Sequence, residues 1–443
     1  MQQNILEKDK ITILFLKYTI PSVAGMLFLG INTVVDGFFV GHYIGVNALA
    51  SVNIAMPFFS LMIAIGVVIG IGTQSLIGRK LGEGNLKAAT DTFKTSLILM
   101  IGISVLLSVL AIVFTKEIAS FLGANEQLMP LVTIYLSYQG VFLPILGTMF
   151  VLDYVLKVMG KPIYAMQVLI VAVISHMVLN YIMIVQLKLG IKGAAIATGL
   201  GYSVAFIMAI LPFYTGKTIL KLFDGNIDKE LAYTIVYNGS SEGLTEIATG
   251  ITTFLFNITL MRYVGEIGVA AFTAISYLSF VGNNILIGLS DGVGSIISYN
   301  YGKGNMDRVK KALKLAFSSA FFIGIVIFTI MFNFSREIII IFLDTNNEAV
   351  INFAVYGAGV YAFAFLLNGI NVIASGYFTA ICDPKNAAFI ALSKGIIWVG
   401  IGTYVLPSVF GIQSIWLTVP LAEILTFFLS ITLIRNHFKY RFK

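Results

Sequence analysis

From Ile20 to Val46 the chain reads IPSVAGMLFLGINTVVDGFFVGHYIGV, an apolar run longer than the ~20 residues a helix needs to cross a bilayer. Runs of this kind recur along the whole sequence. A segment in lipid must satisfy its own backbone hydrogen bonds, so such runs fold as helices or as strands of a closed barrel. Here they are roughly 20 to 30 residues long and rich in Leu, Ile, Phe and Gly, whereas a barrel strand is an alternating segment of about 10 residues. Only 11% of the 443 residues are charged and 58% are hydrophobic, far from the ~25% charge of a soluble domain. The sequence therefore describes an all-α membrane protein.

Twelve transmembrane helices are expected, at about 13–40, 47–77, 92–115, 128–156, 163–187 and 191–214, then 231–261, 268–298, 312–334, 348–380, 387–407 and 412–434. An even number puts both termini on one side. On that side fall 23 Lys and Arg, Lys394 among them. The other side holds five: Lys116, Lys188, Lys192, Arg262 and Arg336. The positive-inside rule makes the richer side, and both termini, cytoplasmic, and gives a multi-pass protein of the cell (inner) membrane. This asymmetry also accounts for the net charge of +7 (28 − 21 = 7) without nucleic acid, for which one basic patch with interleaved aromatics would be needed. The polar start MQQNILEKDK leads directly into the first run, which is expected to act as an uncleaved insertion signal. One cysteine, Cys382, excludes an internal disulfide.

The least apolar connection, Thr215 to Leu231, lies at the midpoint. It divides an N-terminal six-helix bundle (1–214), a cytoplasmic linker (215–230) and a C-terminal six-helix bundle (231–443). The halves echo each other. Leu81-Gly82-Glu83-Gly84-Asn85 returns as Tyr301-Gly302-Lys303-Gly304-Asn305 (302 − 82 = 220), and Ser75 as Ser295 at the same offset. Gly190-Ile191 returns as Gly411-Ile412 (221), Lys161-Pro162 as Asp383-Pro384 (222), and Gly45-Val46 as Gly268-Val269 (223). A duplicated even-helix unit keeps one orientation, so the fold expected is two pseudo-symmetric six-helix bundles around a central cleft, the plan of a transporter with parallel repeats.

Carboxylates inside the expected helices are few: Asp36, Asp153, Glu242, Glu246, Asp291 and Glu423. A buried aspartate costs about 2.5 to 3.5 kcal/mol on insertion scales, so each needs a reason. Asp153 and Asp291 lie near cytoplasmic ends and are expected to face water. Asp36 follows Pro21, a helix-bending residue, by 15 positions (36 − 21) in helix one. Glu242 and Glu246 stand roughly 17 and 23 Å into helix seven, counted from Leu231 at about 1.5 Å per residue. Four apart, they share a face and suit the loading and release of a proton. Among the helical amides, Asn32, Asn180, Asn257, Asn283, Asn284, Asn368 and Asn371, most are expected to bond between helices. Tyr138, Asn257 and Asn368 join Asp36, Glu242 and Glu246 as candidates for binding flat organic cations, the tyrosine through cation–π contact. His176 beside Ser175 reads as a packed polar pair. Gly239-Ser240-Ser241-Glu242-Gly243 and Leu289-Ser290-Asp291-Gly292 do not match the serine or aspartyl motifs of intramembrane proteases, and no Walker A sequence is present. An enzyme is not expected, and neither is a cofactor.

IPSVAGMLFLGINTVVDGFFVG with GVNALASVNIAMP, then GTQSLIGRKLGEGN and LGIKGAAIATGLG, resemble the multidrug and toxic compound extrusion (MATE) family over essentially the whole chain. SSEGLTE and GYFTAICDP are most similar to its MepA-like branch. The resemblance implies secondary active export of amphipathic organic cations by antiport with H⁺ or Na⁺, by a chain acting as a monomer. It gives Asp36 the role of coupling aspartate, with Asn180 and Thr198 around it, and makes Pro21 the bending proline. Where many members carry an acid shortly after the Asn180 position, Tyr181-Ile182-Met183-Ile184 has none, and Asn368 stands about where the NorM branch has a helix-ten acid. These departures favour H⁺ over Na⁺. The alternative is a lipid-linked oligosaccharide flippase of the same wider superfamily, which would want Lys or Arg in its cleft for pyrophosphate. A receptor that transports nothing is a third possibility, and it would give no flux in vesicles.

Overall fold

The computed structural model describes residues 3–342 and 348–440, and all regular structure among them is helical. Ten helices are long and apolar enough to cross a membrane, and two further pairs, each bent at a short break, complete twelve spans. In chain order these are α1 (Ile11–Ile44), α2 (Val46–Gly82), α3 (Leu86–Val113), α4 (Met129–Gly140 and Leu143–Val158), α5 (Pro162–Gln186) and α6 (Gly190–Tyr214). There follow α7 (Lys229–Tyr263), α8 (Glu266–Gly302), α9 (Met306–Asn333), α10 (Val350–Ala362 and Phe365–Ala380), α11 (Pro384–Phe410) and α12 (Ile412–Lys439). The expected spans are all present. The largest error is at α3 and α9, which start six residues early (92 − 86; 312 − 306). Their first turns are polar and rise beyond the apolar stretch, and the Asn85 side chain caps α3 by accepting from the Ala88 N–H at 3.0 Å.

The duplication is written into the backbone. α4 bends by 52° and α10 by 50°, and the breaks lie 222 residues apart (362 − 140 = 222). In α4 the cause is Pro144, which has no N–H to give and whose ring crowds the carbonyl of Gly140, where the first segment ends. In α10 no proline is involved. There the Phe365 carbonyl lies against Gly324 of α9, where no side chain intervenes, and the Phe363 ring packs on Phe328 at 4.9 Å. The loops before α3 and α9 repeat bond for bond: Asn85 N–H to Lys80 O and Asn305 N–H to Asn300 O, both 2.9 Å. Gly84 and Gly304 each adopt φ 77°, which only glycine tolerates without strain. One proposed repeat is misaligned. Gly45, which ends α1 and precedes α2, corresponds to Gly265, not Gly268, since Gly45 and Gly265 both have positive φ and each bonds back to the carbonyl five residues earlier. The offset there is 220, in step with the rest.

The helices gather into two compact units, Met1–Gly239 with Ser298–Asn305, and Ser240–Ile297 with Met306–Lys443. The second unit has a core of stacked aromatics: Phe256 and Phe272 lie 4.6 Å apart, beside a fully buried Trp416. Pro21 is buried within α1, whose helix continues through it, so the carbonyl of Lys17 has lost its usual donor.

Candidate functional site

Asn32 and Asp36 lie four residues apart on α1, and His176 and Asn180 four apart on α5, so each pair occupies one helix face. The two faces meet as two rungs, each joining residues 144 apart. His176 Nδ1 and Asn32 Oδ1 are 2.8 Å apart, and Asn180 Nδ2 donates to Asp36 Oδ1 at 3.2 Å. The imidazole closes the ladder: its Nε2 stands 3.0 Å from Asn180 Nδ2 and from Thr198 Oγ1 of α6, and 3.3 Å from Asp36 Oδ1. With Nδ1–H donating to Asn32, Nε2 is an acceptor for Asn180 or Thr198. Nε2 and the Asp36 oxygen are two acceptors 3.3 Å apart, close enough for a single proton between them to bond to both. The His176 side chain is only 3% exposed and that of Asp36 18%, which leaves water a path to the carboxylate and little to the ring. Tyr135 and Tyr202 are two further titratable groups within electrostatic reach of Asp36.

Local sequence explains the convergence. Gly201 on α6 has no side chain where the His176 backbone passes; a Cβ there would sit 2.9 Å from His176 Cβ and 3.0 Å from its Cα. That close approach brings Thr198, one turn earlier, to the ring. Beyond the cluster both α1 and α5 widen into π turns, Val40–Ile44 and Tyr181–Gln186, a departure that concentrates at functional sites. Asp36, Asn180 and Thr198 are thus brought together. His176 is the residue that sequence reasoning missed: it does not pair with Ser175 but with groups on α1, α5 and α6. The matched four-residue spacings on two helices were the available signal.

Tyr138, also in the first unit, lies apart from this ladder, with the Lys192 ammonium 4.8 Å from the centre of its ring. Asp153 does not face water as expected. It is buried and bonds Lys157 Nζ at 2.6 Å, four residues on in α4, and Asp291 is buried as well. In each case the helix packs its polar face inward instead of presenting it at the membrane surface.

In the second unit, Glu242 is half-buried on α7, and its Oε1 accepts from Thr379 Oγ1 of α10 at 3.4 Å. Glu246, one turn further, is exposed on that unit. Asn257 buries an Oδ1 that accepts no hydrogen bond. Asn368 lies in a different group, donating to Asn283 Oδ1 at 2.6 Å and accepting from Lys394. Lys394 was expected at the cytoplasmic surface. It sits ten residues into α11 (394 − 384), about 15 Å along the axis, where it pairs with Glu423 of α12 at 3.0 Å. Removing it from the cytoplasmic count leaves 22 against 5, so the charge asymmetry is unchanged. Among the described residues no His, Cys, Asp and Glu group is arranged to hold a metal ion.

Twelve membrane spans in a duplicated plan, with ionisable clusters buried among the helices, define a multi-pass membrane transporter of the parallel-repeat type. The MatE family model matches twice, over residues 21–182 and 243–402, more than half of the chain in two copies 222 residues apart (243 − 21 = 222). The chain belongs to the MatE family, a family of transporters. It is similar to the multidrug export protein MepA of Staphylococcus saprophyticus, 25% identical over 432 residues, which span 95% of this chain and 93% of that one. MepA of Staphylococcus aureus strain MRSA252 is 24% identical over 426 residues, again 95% and 93%. Among solved structures, a MOP superfamily transporter from Pyrococcus furiosus superposes with TM-score 0.92 at 21% identity, over 100% of this chain and 99% of that one. A multidrug resistance MATE transporter in an outward-facing conformation gives TM-score 0.92 at 20% identity, over 99% and 98%.

Proposed function

We propose that this protein exports amphipathic organic cations across the cell membrane by antiport with an inward cation, H⁺ in preference to Na⁺, through alternating access, with both termini in the cytoplasm. Two curated relatives named for multidrug export support the export reading. The observation that carries the proton reading is the 3.3 Å approach of Asp36 Oδ1 to His176 Nε2. A ring nitrogen beside one carboxylate oxygen offers a proton two acceptors within reach, whereas Na⁺ prefers a shell of oxygens. In this mechanism the ionised Asp36 attracts a cationic compound from the cytoplasmic side. When the pair opens to the outside a proton enters, cancels the charge that held the compound, and the compound leaves. Asn180 and Thr198 keep the ring and the carboxylate in register through both steps. Tyr138 in the first unit is a candidate aromatic contact for the compound, and Glu242, Glu246 and Asn257 in the second are candidate acidic and amide contacts. Asn368 has a weaker claim, because its amide is already bonded to Asn283 and Lys394.

The energetics of this coupling depend on the charge of the compound. One proton entering at 100 mV contributes about 2.3 kcal/mol, enough to drive a neutral solute roughly 40-fold uphill at about 1.4 kcal/mol per tenfold. A monovalent cation exchanged for one proton moves no net charge and depends on the pH gradient alone. The flippase alternative loses ground because Lys394, the basic residue deep in α11, is neutralised by Glu423 and not held ready for pyrophosphate. The test is efflux of a fluorescent organic cation from proteoliposomes with H⁺ and Na⁺ gradients imposed separately. Efflux driven by the proton gradient is the expected result. Efflux driven only by Na⁺ would overturn the proton reading, and no flux under either gradient would overturn transport.

A further inference from the structure

In the second unit a lysine ammonium sits between a carboxylate oxygen and an amide oxygen. The Lys394 ammonium donates to Glu423 Oε1 at 3.0 Å and to Asn368 Oδ1. Both acceptors are held from behind. Glu423 Oε2 takes a 2.7 Å bond from Asn371 Nδ2, which also donates to the Glu423 carbonyl. Asn371 Oδ1 accepts from Ser430 at 3.0 Å, and the Asn368 amide nitrogen is fixed by Asn283. A carboxylate oxygen and an amide oxygen converging on one positive centre are the hard donors an alkali cation takes.

Position and packing make the arrangement rigid. Glu423 is 2% exposed against 27% for Lys394, so the carboxylate is sealed and the lysine is the more exposed of the two. A sealed carboxylate in a membrane-spanning helix needs a positive partner, because an unpaired buried charge costs several kcal/mol. Lys394 lies in a π turn, Ser393–Ile397. The next residue, Gly395, has no room for a side chain against Ala248 of α7, with a Cβ placed 2.5 Å from Ala248 Cβ, and its carbonyl accepts from Thr252 Oγ1 at 3.0 Å. α7 therefore fixes the point on α11 from which the lysine reaches across to α12 and α10.

We propose that Glu423 Oε1 and Asn368 Oδ1 form a monovalent-cation site within the second unit and that the Lys394 ammonium is its resident cation, excluding Na⁺ and K⁺. Taking the lysine away leaves a caged negative charge, and the site then accepts a free alkali cation. The inference concerns ion binding within one unit and does not depend on the export reading.

The test is thermal unfolding of the full-length protein in detergent at pH 8, comparing NaCl with N-methylglucamine chloride at equal ionic strength. For Lys394→Gln, Na⁺ is expected to raise Tm by about 2 °C or more. Adding Glu423→Gln to that variant should abolish the rise, and the wild type and Lys394→Arg should show none. Lys394→Ala, with its larger vacancy, should gain a similar rise from methylammonium chloride. A folded Lys394→Gln indifferent to Na⁺ overturns the proposal, as does an equal Na⁺ effect in the wild type. Failure of both neutral variants to fold in Na⁺ as well as in N-methylglucamine also overturns it, since a bound ion would restore the missing charge.

Discussion

His176 is joined to three helices, so its removal measures how much the ladder holds. His176→Ala deletes the bonds to Asn32, Asn180 and Thr198. Interhelical polar bonds in membrane proteins average about 0.6 kcal/mol each, so three account for about 2 kcal/mol. The damage is uneven. Asn180 Nδ2 still reaches Asp36, and Thr198 turns its hydroxyl to the Ala194 carbonyl at 3.0 Å. Asn32 Oδ1 is left without a partner while buried, which adds about 1 kcal/mol at the low end of that penalty. The total of about 3 kcal/mol corresponds to a fall in Tm of roughly 6 °C, at about 2 °C per kcal/mol for a larger domain. His176→Gln can keep an amide contact to Asn32 but cannot carry the shared proton. It should therefore recover part of the Tm while losing proton-driven transport. Unfolding in detergent, followed by flux in proteoliposomes, separates the two. An unchanged Tm in His176→Ala would refute the ladder, and normal proton coupling in a folded His176→Gln would refute the shared proton.

Gly201→Ala forces a methyl against the His176 backbone, so α6 must back away by a few tenths of an ångström or more. A loss of about 1 to 3 kcal/mol and weaker proton-driven efflux are expected, while Gly102→Ala, where a Cβ meets nothing within 4 Å, should leave efflux unchanged and should not lower Tm. Cys382 holds φ 61° at the position that Gly160 fills in the other half at φ 82°. Cys382→Gly should therefore stabilise the protein by about 0.5 kcal/mol once glycine's extra chain entropy is counted, read as a small rise in Tm. Partial burial raises the Glu83 carboxyl, but bonds from Lys80 and Arg79 more than offset it and hold the group below its ordinary range. A lowered carboxyl stabilises the fold above its unfolded titration and stops doing so as pH falls through the folded one. Glu83→Gln should thus cost less than about 1 kcal/mol at neutral pH, as a partly exposed pair allows, and the difference should vanish in acid.

The twelve spans and the duplication were readable because apolar length and offset repeats are local, one-dimensional signals. Even the two broken helices fell inside single expected spans, though only α4 carries a proline to announce the break. The side-chain clusters were less legible because their partners come from distant helices. His176 looked like half of a pair with Ser175, yet its partners are Asn32 and Asp36, 144 and 140 residues away (176 − 32; 176 − 36). Lys394 looked like a surface charge near the start of a helix. Its depth became clear only because α11 begins at Pro384, three residues before the expected start at 387, and because Glu423 meets it from α12. A lysine beside a glutamate on a neighbouring helix carries no signature in either segment alone.

The central claim is that Asp36 exchanges a proton for the exported compound. Proteoliposomes loaded with a pH-sensitive dye report this directly when an organic cation is presented with no other gradient. The wild type should move protons in proportion to the compound, and Asp36→Asn, which lacks the charge that holds the compound, should bind it more weakly and move none. Proton movement in Asp36→Asn equal to that of the wild type would contradict the account.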